Sequence, residues 1–334
     1  MIYEHLEMLA PGTQLYEGLD SILKAKTGGL IVIGDTPEVL ELVNGGFHID
    51  AEMHPGSLYE LAKMDGAIVL SSDAKRILYA NTQLVPDSMI SSFETGTRHR
   101  TAERVAKQTG QIVISISQRR NIITIYRGSW KYVIREVSVI LAKANQALST
   151  LEKYRSVFQQ SLTNLSALEF EDLVTLTDVT TVLQRSQMVN KIASEIERYV
   201  IQLGSEGRLV RMQLEELMVD TKDQGLLVFK DYYIGSNLSE GWDQLEELDS
   251  DDLLNLALIS KALGFGGSLT SLDQAVAPRG YRVLAKIPRL PMPVIENLVK
   301  TLDGLSSVMD ATIEELDDVE GIGEVRAKAI KEGL

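Results

Sequence analysis

Residues 1 to about 130 alternate two patterns: stretches with apolar residues three and four apart, and short runs of β-branched residues. The runs predict strands at Gly29–Gly34 (GLIVIG), Ala67–Ser71 (AIVLS), Arg76–Ala80, Ile112–Ser117 (IVISIS) and Ile122–Arg127 (IITIYR). The three-and-four spacing predicts helices over Leu15–Thr27, Pro55–Met64 and Arg100–Thr109. Strands interleaved with helices read as an α/β domain. Asn121, in the polar SQRRN stretch between the last two strands, predicts a hairpin turn.

From about Lys131 to Tyr233 the pattern is helical, with few glycines or prolines. Val133, Val137, Ile140, Leu141, Ala144, Leu148 and Leu151 form one stripe, predicting a helix longer than a small domain is wide. Such a helix spaces domains, assembles subunits or lies in a plain bundle. After DYYIG (Asp231 to Gly235) come short helices and tight turns. Helices are predicted at Glu240–Leu248, at Ser250–Leu263 with Ser250 as N-cap, and at Ser271–Ala277. Pro278, Pro288, Pro291 and Pro293 punctuate the remainder. The chain thus divides into 1–130, 131–235 and 236–334, the last two all-α.

Composition narrows the chemistry. The chain has 334 residues, 44% hydrophobic and 24% charged, which excludes disordered and collagen-like classes. It has no cysteine, which excludes disulfides, thiolate metal sites and Cys nucleophiles. The start, MIYEHLEMLAPG, carries acids where an export signal needs a basic end, and no stretch approaches the ~20 apolar residues of a membrane span. The formal net charge of -14 opposes broad adhesion to nucleic acid or anionic membrane. Against that background, Arg98, Arg100, Arg104, Lys107, Arg119, Arg120, Arg127, Lys131 and Arg135 face a single acid, Glu103, within residues 98–135. That contrast predicts either a local anion site or a solvated basic surface.

Two short motifs sharpen the choice. Asp65-Gly66-Ala67 opens an apolar strand, setting a carboxylate beside backbone that a ligand can approach closely. Alone, Asp-Gly is also an ordinary turn. Glu94-Thr95-Gly96-Thr97-Arg98-His99-Arg100-Thr101 opens a helix: glycine and threonines offer N–H groups and hydroxyls to an anion, and two arginines flank a histidine. An ordinary N-cap at Thr97 or Thr101 with a structural His99 is the plainer reading. No GxxxxGK[ST] or GxGxxG is present, which argues against P-loop and Rossmann chemistry.

Together, DGA at 65–67 and RHR at 98–100 resemble the signature pair of the diadenylate cyclase (DAC) family. The flanking LYELAKMDGAIVLS and FETGTRHRTAERVAKQTG are similar to members that join a DAC domain to a helical spacer and a C-terminal helix-hairpin-helix domain. The resemblance implies an α/β domain with a mixed sheet flanked by helices, then an all-α linker and an all-α hairpin domain. It implies condensation of two ATP into cyclic di-3′,5′-AMP with release of two pyrophosphates, between two DAC domains face to face. By the motif match, Asp65 serves the divalent metal, Mg2+ or Mn2+, and the attacking 3′-hydroxyl. Gly66 and Ala67 line the nucleotide, Leu84 contacts adenine, and Thr97, Arg98, His99 and Thr101 hold phosphates. Arg100 belongs to the signature, with alternation pointing it inward as support. Arg119 and Arg120 join the ATP site on the basic cluster alone.

The C-terminus supports the same reading from its own residues. Leu316 to Ile330 fits an apolar helix end, a Gly321-Ile322-Gly323 hairpin and a second helix, with Arg326 and Lys328 beside the hairpin as DNA-binding candidates. A generic helical turn fits too. An earlier copy at 285–299 has prolines where the glycines stand, so it offers fewer donors. Residues 281–334 carry seven bases against ten acids, predicting weak, structure-selective, salt-sensitive DNA binding. The resemblance further implies a homo-octamer, control by branched (Holliday-junction-like) DNA, and a bacterial cytoplasmic, nucleoid-associated setting without membrane. The alternative is a non-catalytic nucleotide-sensing protein that binds DNA junctions.

Overall fold

The computed structural model describes residues 6–334; the first five residues of the start read above for an export signal lie outside them. The chain forms two compact units, residues up to Ala144 with Arg198–Leu209, and Asn145–Glu197 with Val210–Leu334.

The first unit contains α1 (Gln14–Lys24), β1 (Gly29–Ile33), α2 (Pro37–Leu40), β2 (Val43–Asn44), β3 (Phe47–Glu52), α3 (Pro55–Leu61), β4 (Ala67–Leu70), β5 (Arg76–Leu84), α4 (Thr97–Thr109), β6 (Ile112–Ser117), β7 (Ile122–Arg127) and β8 (Trp130–Val133). The strands form one sheet in the order β2-β5-β4-β1-β6-β7-β8, with β3 also on β5. β1 and β4 run parallel and the other pairs antiparallel, so the sheet is mixed, as expected.

All five residues of β1 are buried, because a central strand covered on both faces has no polar side. Period two sends Ile31 and Ile33 to one core, with Leu15, Leu19 and Ile22 of α1 and Leu58 of α3. Leu30 and Val32 enter the other, with Val39 of α2 and Ala102, Val105 and Ala106 of α4. Each fully buried Leu or Ile stabilises by about 1.5–3 kcal/mol, so the two layers anchor the strand ends on which the site is built. Thr13 caps α1 by accepting from the Tyr16 N–H at 3.1 Å, and Gly110 ends α4 with φ 70°.

Three strands lie outside the sequence expectation. β2, β3 and β8 are edge or near-edge strands with no fully buried residue, so they lack the apolar run that marks a central strand. β5 runs four residues past Ala80, through the polar Asn81-Thr82-Gln83, because those residues pair with β2 and β4 rather than turning. The stripe that began at Val133 starts later as a helix: Val133 ends β8, and α5 begins at Val137. Ile140, Ala144, Leu148 and Leu151 are its buried positions.

Beyond residue 134 the chain is mostly helical: α5 (Val137–Glu171), α6 (Leu176–Leu203), α7 (Arg208–Met218), α8 (Lys222–Tyr232), α9 (Leu238–Glu247), α10 (Leu256–Ala262), α11 (Tyr281–Leu284), α12 (Met292–Leu302), α13 (Leu305–Asp310), α14 (Ile313–Asp317) and α15 (Glu324–Gly333). Two expectations fail here. Ser250 caps nothing: Asp249 Oδ1 accepts the Asp251 and Asp252 N–H groups at 2.8 Å each, and Asn255 caps α10. These side chains offer the backbone a turn in place of a continuous helix over Ser250–Leu263. Ser271–Ala277 is not a helix either. Gln274 and Val276 exchange backbone bonds with Leu176 and Val174, which holds the segment extended.

A buried polar cluster ties α5 and α8 to the start of α11. Arg282 is fully buried; its guanidinium is ion-paired with Glu169 and donates to Ser166 Oγ at 3.0 Å. Tyr232 donates to the other Glu169 oxygen at 2.7 Å. Asp231 accepts the Gly280, Tyr281 and Arg282 N–H groups at 2.8, 2.6 and 3.1 Å, supplying the acceptors that the start of α11 lacks.

Candidate nucleotide site and hairpin

The strand registers bring the predicted residues to one edge of the sheet. Asp65 and Gly66 precede β4, whose first residue, Ala67, pairs with Thr82. Leu84, two residues further along antiparallel β5, therefore lies at the same edge, buried in one apolar layer with Ala67 and Ala102. β1 runs parallel beside β4, and its Gly29 pairs with Ile116 near the end of β6. The turn carrying Arg119 and Arg120 follows there, with Asn121 at φ 53°, as the hairpin reading required. Arg98 reaches this edge too: a Cβ built on Gly28, just before β1, would fall 2.4 Å from Arg98 Nη1.

Asp65 is exposed. Gly66 is held from behind. Its N–H donates to Asn81 Oδ1 at 3.1 Å, and a Cβ on it would lie 2.3 Å from the Asn81 carbonyl carbon. Asn81 adopts φ 52° at a register shift in β5, one of the few side-chain types that tolerates that region. Gly28 and Asn81 are supporting residues that the sequence reading passed over; a glycine before an apolar strand and an asparagine just past another predicted strand were the available signals.

α4 begins at Thr97 with Gly96 as N-cap, and no side chain caps it. Neither Thr97 nor Thr101 plays the capping part that the plainer reading gave them. The first N–H groups of this 13-residue helix are thus left for an anion, at its positive end. Thr97 is exposed, and Arg98 and Thr101 are half-buried. Arg100 does not point inward: it is exposed, and its Nε donates to the Glu94 carbonyl at 3.4 Å, bracing the loop before the helix.

His99 is the most constrained of the set. Its Nδ1 lies 3.0 Å from the Tyr126 hydroxyl, which donates to Glu94 Oε1 at 2.9 Å, and Lys131 pairs with the same carboxylate. Burial pushes the imidazole pKa down, Glu94 opposes this, and Arg120, Lys131 and Arg98 push it down further. Burial raises the Glu94 carboxyl, but the bonds from Lys131 and Tyr126 outweigh it and leave a net lowering. No group of three or more His, Asp or Glu side chains able to hold a metal occurs among the described residues. One open carboxylate at Asp65 suits a hard divalent cation that arrives with phosphate oxygens as its other ligands.

At the C-terminus, Val319 to Gly323 joins α14 to α15. Gly321 takes φ 88°, and Gly323 is the N-cap of α15 with open space where a Cβ would stand. Ile322 is buried and its N–H donates to Val319 O at 2.9 Å, so this candidate packs the core rather than offering its amide. Arg326 folds back onto the Gly321 carbonyl, and Lys328 pairs with Glu324 at 2.6 Å. The earlier copy repeats the backbone. Arg289 takes φ 65°, Leu290 is buried with its N–H toward Ile287 O, and Pro291 stands at the N-cap without an N–H.

Three family models match along the chain. The family described as DisA bacterial checkpoint controller nucleotide-binding matches residues 16–130, the DisA bacterial checkpoint controller linker region matches 134–272, and the helix-hairpin-helix motif matches 304–333. The DNA integrity scanning protein DisA of Carboxydothermus hydrogenoformans is 61% identical over 332 residues, covering 98% of this chain and 94% of that protein. The chain belongs to the DisA family. The DisA protein of Clostridium kluyveri is 58% identical, covering 98% of this chain and 93% of its own length. Among solved structures, DacA from Staphylococcus aureus aligns with 40% of this chain and 88% of its own at a TM-score of 0.33 and 19% identity. As in the sequence reading, no described helix of this DisA-family chain is long and apolar enough to cross a membrane.

Proposed function

We propose that the chain is a diadenylate cyclase that joins two ATP into cyclic di-AMP and two pyrophosphates, and that it carries a DNA-binding hairpin domain. The observation behind this reading is the convergence, on one sheet edge, of the Asp65 carboxylate, the Arg98 guanidinium and the uncapped start of α4. Each first unit offers one such edge, so two copies face each other, and each 3′-oxygen bonds to the α-phosphorus of the partner nucleotide as the bond to pyrophosphate breaks. Holding both reactants in one closed interface supplies much of the acceleration.

Asp65 takes up the proton that the attacking 3′-hydroxyl sheds and, with phosphate oxygens, would hold Mg2+ or Mn2+. That cation supplies neutralisation of the polyphosphate charge. The first amides of α4 with Thr97, Arg98, His99 and Thr101 hold the phosphates as charge builds on the leaving group. Gly66 and Ala67 give the nucleotide close backbone, Leu84 backs the adenine, and Arg120 reaches in from the β6–β7 turn. The protein works as an octamer of four active pairs in the bacterial cytoplasm, with branched DNA at the hairpins lowering synthesis.

The purified chain with ATP and Mg2+ or Mn2+ should yield cyclic di-AMP by mass spectrometry, and equimolar GTP should enter the product far less. Absence of product from chain that binds ATP would reject the cyclase. The hairpin has its own test. Gly323→Ala should cost under about 1 kcal/mol, because the N-cap backbone is extended and the new methyl meets nothing. A phosphate seated on that amide would meet the methyl, so affinity for a four-way DNA junction should fall about tenfold, the worth of one charge-assisted hydrogen bond. Unchanged junction affinity in a gel-shift titration would remove Gly323 from the interface.

A further inference from the structure

His99 is joined to Tyr126 and Glu94 in a chain whose polarity can run only one way. A carboxylate solely accepts, so the 2.9 Å contact between Tyr126 and Glu94 places the phenolic proton on the Glu94 side. The Tyr126 oxygen must then accept from His99, which makes Nδ1 the protonated nitrogen in their 3.0 Å contact. Lys131 fixes the far end by pairing with Glu94. Tyr126 is 1% exposed, and burial, followed by its hydrogen bond to Glu94 and then the Glu94 charge, drives its ionisation beyond any working pH, so this link does not open by titration.

The other ring nitrogen is in the opposite condition. His99 Nε2 is shielded from water and has no hydrogen-bond partner among the described residues. Leaving such an atom unpaired costs about 1–3 kcal/mol, which a folded protein carries where a ligand completes it. Its neighbour in sequence is Arg98, at the candidate phosphate seat.

We infer that Glu94 and Tyr126 are positioning residues that lock Nδ1 of His99 as a donor and reserve Nε2 as the one ring nitrogen that takes up a proton against the bound polyphosphate. This rests on the cyclase reading of the site. Burial and the cations Arg98, Arg120 and Lys131 favour the neutral ring in the empty site, with Glu94 the one group opposing them. An arriving triphosphate adds anionic charge beside Nε2 and draws the proton there. The imidazolium then donates from Nε2 to a phosphate oxygen and from Nδ1 to Tyr126, and Glu94 stabilises the cation through the phenol. No linear motif betrays this. Glu94 precedes His99 by one turn of loop, and Tyr126 comes from a different strand.

The test uses the full chain with 15N-labelled histidine, the His99 resonances being assigned with His99→Gln. Without nucleotide, long-range 1H–15N spectra should show one neutral tautomer protonated on Nδ1. Adding unreactive 3′-deoxy-ATP should move the Nε2 resonance to its protonated position. Tyr126→Phe should lose the single tautomer and reduce kcat about 10- to 100-fold with KM changed much less. Glu94→Gln keeps an acceptor for the phenol but removes the charge that raises His99. The limb on which kcat falls with rising pH should therefore move to lower pH.

A tautomer unaltered by Tyr126→Phe, or an unshifted pH limb in Glu94→Gln, would overturn the inference. If Tyr126→Phe does not fold, the Glu94→Gln profile decides alone. Failure of the cyclase reading looks different: wild type would give no cyclic dinucleotide while the tautomer spectra stay as described.

Discussion

Asp65→Asn should leave a folded, ATP-binding chain whose cyclic di-AMP output falls by roughly a thousandfold or more. The side chain is exposed, so the exchange should alter stability by less than about 0.5 kcal/mol. Arg98 and the open start of α4 remain to hold the phosphates. What disappears is the negative charge that meets the 3′-hydroxyl and its cation, and removing a group that acts at the reacting atoms costs at least two to three orders of magnitude. Output within tenfold of wild type, measured by mass spectrometry with unchanged ATP affinity, would take Asp65 out of the reaction.

Much of the candidate site was legible in the sequence because its residues lie in two contiguous stretches, DGA and GTRHRT, each at the mouth of a regular element. The residues that support them were not. Asn81 follows the strand predicted to end at Ala80, and only the structure shows its amide under Gly66. Tyr126 looks like an ordinary strand aromatic until its hydroxyl is found between His99 and Glu94. The central strands announced themselves by apolar runs, whereas edge strands such as β3 carry FHIDAE, a composition that suits a loop equally well. The helical region misled where Asp249 and Asn255 bent the backbone with their own side chains, a competition that apolar spacing does not register.

The second large effect is on stability. Arg282→Ala should destabilise the second unit by about 3–5 kcal/mol, because it leaves the buried Glu169 carboxylate with the Tyr232 hydroxyl as its hydrogen-bond partner and Lys286 as a more distant cation. For a unit of this size that corresponds to a fall in Tm of roughly 10 °C. Replacing both partners, Arg282→Met with Glu169→Gln, should recover most of the loss, since a buried ion pair adds little over neutral side chains that fit the same space. Urea unfolding of the three proteins provides the comparison. A loss below about 1 kcal/mol in the single variant would mean that water reaches Glu169. The position also explains why an arginine in a segment otherwise read for DNA contacts contributes nothing to the basic surface: it is spent inside, where α11 begins.

Asp65 and Gly66 are neighbours guarded for unrelated reasons. On the proposed function, the first is held by what its carboxylate does. The second is held by volume: its backbone lies against Asn81 on one side of β5, and Gly46, at φ 81°, closes against Ala80, Asn81 and Thr82 in the same way. Neither glycine has room for a methyl without moving a strand. On the proposed function, neutral drift is thereby shut off twice in consecutive codons, once by selection on product and once by selection on folding, and a lineage that lost the chemistry would be expected to keep the glycine long after it had released the aspartate.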